Sequence, residues 1–134
     1  MVIFRNPDTV APPIGRYSHS VEIPPNARIL MVSGQVGMTA DGSLPSDYFE
    51  QLRNALRNVQ CNVEAAGMTT RDIVKCTLLA VESHRPIGPD ARAAATAIMN
   101  EIFGDHVPTW TTHVISALVR PDLMLEVEAI AAAI

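Results

Sequence analysis

Apolar residues recur along the chain at two spacings, one typical of helices and the other of strands. Between residues 49 and 66 they fall alternately three and four positions apart, which is the spacing of one helix face. Asp47 is a typical N-terminal cap for this helix, and Gly67 suits the left-handed residue just after its end. A second helix is predicted after Gly88-Pro89-Asp90, with an apolar face that ends at Phe103.

The remaining apolar segments have the length and composition of strands. The run Ile73–Val81 is almost continuously apolar, which predicts a central strand. Because each helix can cross over between parallel strands, we expect a single α+β domain over residues 1–134 with a mixed sheet and hairpins at both chain ends. Two helices cover only one face of such a sheet. The predicted strands are Ser18–Ile23, Ile29–Val36, Ile73–Val81, Trp110–Leu118 and Met124–Ala132.

The composition indicates self-association. Apolar residues make up 48% of the chain and charged residues only 18%, so a monomer would expose apolar patches of the kind that mark interfaces. A net charge of −4 with no basic stripe argues against nucleic-acid binding. No apolar stretch is long enough for a membrane span, and no export signal is evident, so we expect a cytoplasmic protein with reduced cysteines.

Few residues point to chemistry through their spacing alone. The four histidines lack metal-ligand spacing, so we expect no metal, and no phosphate or dinucleotide motif is present. Glu126 and Glu128 lie two apart on the last predicted strand, so their side chains share a face. They are either a solvated polar surface or include a carboxylate that orients a water.

Six segments, in the right order along nearly the whole chain, resemble the RidA/YjgF family, also known as endoribonuclease L-PSP. The segments are Ile14–Val21, Ser33–Val36, Asn54–Val59, Glu64–Met68, Asp72–Lys75 and Glu126–Ala131.

This resemblance implies a chorismate-mutase-like fold and a homotrimer whose sheets surround a barrel-like core, with ligand clefts at the subunit interfaces. It also implies hydrolysis of reactive enamines and imines, such as 2-aminoacrylate, without a cofactor. Tyr17 matches the family's cleft tyrosine and Glu126 its C-terminal glutamate, which makes them candidate catalytic residues. Ser33 and Gly34 match a Ser-Gly-Gln segment along the cleft wall.

The sequence departs from the family at two of these positions. Trp110, in Pro108-Thr109-Trp110-Thr111, stands where the family has the arginine that clamps the substrate carboxylate, and Arg16 stands where proline is usual. Indole offers one N–H and no charge, so it cannot replace the bidentate guanidinium clamp. The chain is therefore similar to an arginine-lacking subgroup, for which 2-aminoacrylate is not the expected substrate. Trp110 faces a ligand or serves as a packing anchor.

Three functional hypotheses follow. In the first, Glu126 and Tyr17 still hydrolyse an imine or enamine metabolite, and Arg16, Arg120 or His113 binds a differently placed anion. In the second, a homotrimer binds a small molecule against Trp110 without catalysis. The third, endoribonuclease activity, is disfavoured by the negative charge and the few stacking aromatics.

Overall fold

A computed structural model describes residues 1–134 and contains two helices and six strands. All of the predicted helices and strands are present, and β1 is an additional short strand that the sequence pattern did not reveal. Neither helix is long and apolar enough to cross a membrane. The elements are β1 (Ile3–Arg5), β2 (Ser20–Glu22), β3 (Arg28–Gln35), α1 (Tyr48–Ala65), β4 (Ile73–Val81), α2 (Pro89–Phe103), β5 (Thr109–Ile115) and β6 (Leu125–Ala133).

Helix α1 begins and ends as its sequence predicts. The Asp47 side chain accepts a hydrogen bond of 3.0 Å from the backbone N–H of Glu50. Beyond the last turn, Gly67 adopts a φ of +75°, a conformation that glycine reaches without steric cost. The apolar spacing is confirmed as a buried face, which includes Leu52, Leu56, Val59 and Val63.

The main sheet has four strands in the order β3-β6-β4-β5, and β4 is an interior strand as expected. Strands β4 and β5 are parallel, whereas β6 runs antiparallel to both β3 and β4. Helix α2 therefore connects two adjacent parallel strands, as predicted.

The two predicted hairpins are wrong. Strand β2 pairs with β1 in a separate two-stranded sheet, and β6 lies between β3 and β4 instead of beside β5. Strand β2 has only three residues, whereas β6 has nine, so β6 satisfies far more of the backbone hydrogen bonds of β3. Because it lies between β3 and β4, β6 also forms backbone hydrogen bonds along both of its edges.

Both helices pack on one face of the sheet, as predicted. Leu56 of α1 and Ile102 of α2 belong to the same core as Cys76 and Val127 of the sheet. The opposite face carries no covering element. On that face, Met31 of β3 remains 69% exposed, which is unusual for a strand residue of this size.

Gln51 fixes the connections that lead away from β3 and into β6. Its buried side-chain amide donates to the carbonyls of Pro45 and Asp122 at 2.8 and 3.0 Å and accepts from the N–H of Met124 at 3.0 Å. The chain approaches α1 closely here, because a Cβ added to Gly37 would lie 2.5 Å from the Gln51 Cα. The end of β3 and the start of β6 are thereby held beside the same turn of α1.

Candidate active site

A pocket of about 380 Å³ lies between α2, the start of β5 and the segment that precedes β2. Arg16, Tyr17 and Trp110 line it, so the structure brings together three of the residues singled out from the sequence. The Ser18 N–H donates to the Pro108 carbonyl at 3.1 Å. This bond lays the N-terminal segment along β5 and sets Tyr17 beside Trp110. We call this cavity the Tyr17 pocket.

The Tyr17 side chain stabilises the turn in which it lies. Its hydroxyl oxygen accepts a hydrogen bond of 3.2 Å from the Ile14 N–H. The ring also packs edge-to-face on His19, whose Nε2 lies 2.7 Å from the Ala11 carbonyl oxygen. The hydroxyl is therefore held at the pocket by main-chain contacts on its own segment.

Trp110 is both a packing residue and a wall of the pocket. Its ring lies perpendicular to that of Phe103, with centroids 6.4 Å apart, and it packs against the main core. The indole Nε1 donates to the Thr112 hydroxyl at 3.0 Å. The remaining exposed part of the ring is a flat apolar surface with no free charged donor.

Arg16 is engaged with the C-terminal end of α2. Its Nε donates to Asn100 Oδ1 at 2.9 Å, its Nη2 donates to the Gly104 carbonyl at 2.5 Å, and the guanidinium lies 5.7 Å from the centre of the Phe103 ring. Partial burial lowers the pKa of Arg16. The buried Nη1 has no hydrogen-bond partner. A cation here suits the negative end of the helix dipole, which explains an arginine at this position.

Glu126 and Gly34 form a second group, on the uncovered face of the sheet. A Cβ added to Gly34 would lie 2.0 Å from Glu126 Oε1, so the Glu126 side chain extends directly over the glycine. Ser33 is exposed beside them, within the irregular stretch of β3 between Val32 and Gln35.

His113 lies in the same row across the sheet. It is opposite Leu79, and Leu79 is opposite Glu126. Successive strands lie about 4.8 Å apart, so the backbones of His113 and Glu126 are separated by roughly 10 Å. His113 is exposed and makes no hydrogen bond through its ring.

The two groups do not meet within one chain. Trp110 faces the helices, whereas Glu126 alternates with the core residues Leu125 and Val127 and so faces away from them. Tyr17 and Glu126 therefore lie on opposite faces of the sheet.

Arg120 lies apart from both groups, in the connection between β5 and β6. Its guanidinium donates twice to Asp122, at 3.0 and 2.5 Å. These bonds raise the pKa of Arg120 and lower the pKa of Asp122. Both side chains are about half exposed, so the pair is worth little to stability.

No group of three or more His, Cys, Asp and Glu side chains converges as a metal site would. Three of the four histidines lie within hydrogen-bond distance of main-chain oxygens instead, His19 among them. His106 Nε2 lies 2.7 Å from the Ile73 carbonyl oxygen, and His84 Nε2 lies 3.3 Å from that of Pro121.

Arg92 is a site residue that the sequence analysis missed. It lies on α2 and lines the Tyr17 pocket, and its guanidinium makes no hydrogen bond or ion pair within the chain. Nothing in its spacing distinguishes it from other exposed arginines. It becomes a candidate only because α2 crosses beside the start of β5.

Known proteins are similar to this chain over almost its full length. The model of the endoribonuclease L-PSP family matches residues 8–133. The 2-iminobutanoate/2-iminopropanoate deaminase of Escherichia coli is 31% identical over 88% of this chain and 88% of its own length. The RutC family protein YjgH of the same species is 32% identical over 85% and 82%. The chain belongs to the RidA/YjgF family.

Solved structures support the same conclusion for the fold of this Rid protein. YyfB of Yersinia pestis, described as a member of the conserved Rid family, superimposes with a TM-score of 0.85 at 29% identity and covers 98% of both chains. Escherichia coli TdcF with bound serine has a TM-score of 0.68 at 28% identity and covers 90% of this chain and 91% of its own. The RidA/YjgF fold expected from the resemblance is confirmed.

Proposed function

We propose that this Rid protein is a homotrimer that hydrolyses an imine or enamine metabolite to a carbonyl compound and ammonia, in clefts between subunits. The observation that carries the proposal is the pair of matched residues, Tyr17 and Glu126, in a chain whose 31% identical relative is named a 2-iminobutanoate/2-iminopropanoate deaminase. Because they lie on opposite faces of one sheet, a shared cleft requires two copies.

Features of the sheet support the assembly. Strands β3 and β5 are both edges with unpaired backbone groups. The uncovered face next to β3 exposes Met31 by 69% and Ile29 by 50%. Apposing this face to the β5 edge of a neighbour would bury those side chains and bring Glu126 of one copy towards Tyr17 of the next.

The reaction needs one base and no cofactor. A water attacks the carbon of the protonated imine and passes a proton to the Glu126 carboxylate, which gives a neutral carbinolamine. Glu126 returns that proton to the nitrogen, and the C–N bond then breaks as Glu126 accepts the hydroxyl proton, so that the carbonyl forms and ammonia leaves. An enamine first takes a proton from solvent on carbon, which gives the same protonated imine. Tyr17, anchored by the Ile14 N–H, borders the reacting carbon.

The substrate differs from 2-aminoacrylate. Trp110 supplies no charged fork on β5, so a small carboxylate lacks the bidentate partner that the family provides there. A homotrimer that binds a small molecule without catalysis would have the same pocket. Measuring ammonia release distinguishes such a binding protein from an enzyme.

The test measures ammonia release from a panel of imines generated in situ by an amino acid oxidase with catalase. We expect the wild type to accelerate release for at least one imine and Glu126→Gln to lose that acceleration. Glu128→Gln, two residues along on the same face, is the matched control and should keep it. Ligand binding with no acceleration for any imine would favour the binding protein.

A further inference from the structure

The Tyr17 pocket continues into a second concavity of about 290 Å³, bounded by the start of α1, the loop before α2 and α2 itself. The two share Arg92, Ala95 and Thr112, so they form one continuous surface. We call it the Arg92 groove. The Tyr17 pocket alone falls within the range of about 300–1,000 Å³ that holds molecules much larger than a three-carbon acid.

The groove is positively charged in an acidic protein. Arg16, Arg85 and Arg92 line it, and no aspartate or glutamate does, although the net charge of the chain is −4. Arg16 is held by α2, but neither Arg85 nor Arg92 has a hydrogen bond or an ion pair through its side chain. Two unpaired guanidinium groups on one concave surface attract an anion.

The groove also contains most of the aromatic residues of the chain. Tyr17 and Trp110 line one end, and Tyr48 and Phe49 line the other, which is four of the six aromatics in the sequence. Flat apolar rings beside unpaired cations favour a ligand that is itself flat and negatively charged.

We propose that Arg92 is the anion-binding residue of this groove and that the ligand is a planar aromatic or conjugated carboxylate. The carboxylate of the ligand accepts two hydrogen bonds from the guanidinium of Arg92, and the planar part of the ligand lies against Trp110. A charge missing from β5 is thus supplied by α2, which lines the same pocket. That this ligand is a substrate rests on the proposed function, whereas the binding itself does not.

Three simple probes test the two parts of the proposal. Benzoate is planar and charged, cyclohexanecarboxylate is charged but not planar, and benzamide is planar but neutral. Because Trp110 is the only tryptophan, its fluorescence reports occupancy of the groove, and calorimetry checks each affinity. We expect wild type to bind benzoate several-fold more tightly than cyclohexanecarboxylate.

Arg92→Gln should weaken benzoate binding at least about tenfold, as expected for the loss of a charge-assisted bond, and leave benzamide binding unchanged. Arg92→Lys keeps the charge but loses the bidentate guanidinium, so its affinity for benzoate should lie between those of wild type and Arg92→Gln. Arg5→Gln, which removes one charge from β1, outside the lining of the groove, is the control and should bind benzoate like wild type.

Equal benzoate affinity in wild type and Arg92→Gln would overturn the role of Arg92. Equal affinity for benzoate and cyclohexanecarboxylate would overturn planar selection, and no benzoate binding by wild type would overturn both. Ammonia release is measured on the same preparations, so a protein that binds benzoate through Arg92 but releases no ammonia would contradict the proposed function and leave this inference standing.

Discussion

Gly34 and Gly37 lie three residues apart near the end of β3, and each leaves room for a different neighbour. A Cβ at Gly34 would lie 2.0 Å from Glu126 Oε1, and one at Gly37 would lie 2.5 Å from the Gln51 Cα. Neither glycine has a positive φ, so alanine fits both backbones and only the contact decides the effect. The same substitution at the two sites therefore separates site geometry from stability.

Gly34→Ala should fold almost normally and lose activity. The clashing atoms belong to the flexible side chain of Glu126, which can rotate away from the sheet without moving the backbone. We expect a change of less than about 1 kcal/mol, partly offset by the reduced entropy of the unfolded chain. With its carboxylate displaced, general-base catalysis falls, so ammonia release should drop at least about 100-fold.

Gly37→Ala should have the opposite effect. Its clash is with backbone that cannot move without disturbing Gln51, whose buried amide makes three hydrogen bonds. A loss of about 3 kcal/mol is expected, which corresponds to a melting temperature roughly 12 °C lower in a domain of this size. Thermal unfolding by circular dichroism and the imine assay measure both variants. Full ammonia release by Gly34→Ala would contradict the role of the Glu126 carboxylate, and equal destabilisation of the two variants would contradict the difference between a side-chain and a backbone contact.

Three other predictions concern the thiols, Gln51 and Trp110. Burial raises the pKa of Cys76 to about 12, so a thiol reagent near pH 8 should modify exposed Cys61 and reach Cys76 only on unfolding; rapid modification of both contradicts this. Because a neutral buried thiol favours the folded state below its unfolded pKa of 9.0, that contribution should be lost as the pH rises towards 12. Gln51→Ala should lower the free energy of unfolding by about 3 kcal/mol in denaturant titrations, whereas Gln60→Ala, which removes one exposed bond to a glutamate, should change it by less than about 0.5 kcal/mol. Trp110→Arg restores a cation on β5 and should confer measurable 2-aminoacrylate hydrolysis, which an assay coupled to pyruvate detects; no gain would indicate that the rest of the pocket has diverged too.

Local signals in the sequence predicted the helices and strands, because caps and apolar spacing act over a few residues. Asp47, Gly67 and the bounds Ile73–Val81 match the structure. The predicted strand pairing was wrong at both chain ends, because pairing is determined by strands that are distant in the sequence. The insertion of β6 between β3 and β4 depends on which strands are long enough to satisfy each other, and no turn signal reports that.

The candidate site residues show the same contrast between local sequence signals and long-range packing. Motif matches drew attention to Tyr17 and Glu126, but only the sheet register reveals that they face opposite sides. The sequence pattern did not identify Arg92 as a site residue, because an exposed arginine on a helix has no local signature. Its position beside Trp110 arises from the packing of α2.

Imine hydrolysis by Glu126 is tested by comparing wild type, Glu126→Gln and Glu128→Gln in the ammonia-release assay, over the panel of imines formed in situ. We expect accelerated hydrolysis of at least one imine by wild type and Glu128→Gln, with at least about a 100-fold loss in Glu126→Gln while the folded state and assembly are unchanged. Equal rates in all three proteins, or no acceleration by wild type with any imine, would contradict it.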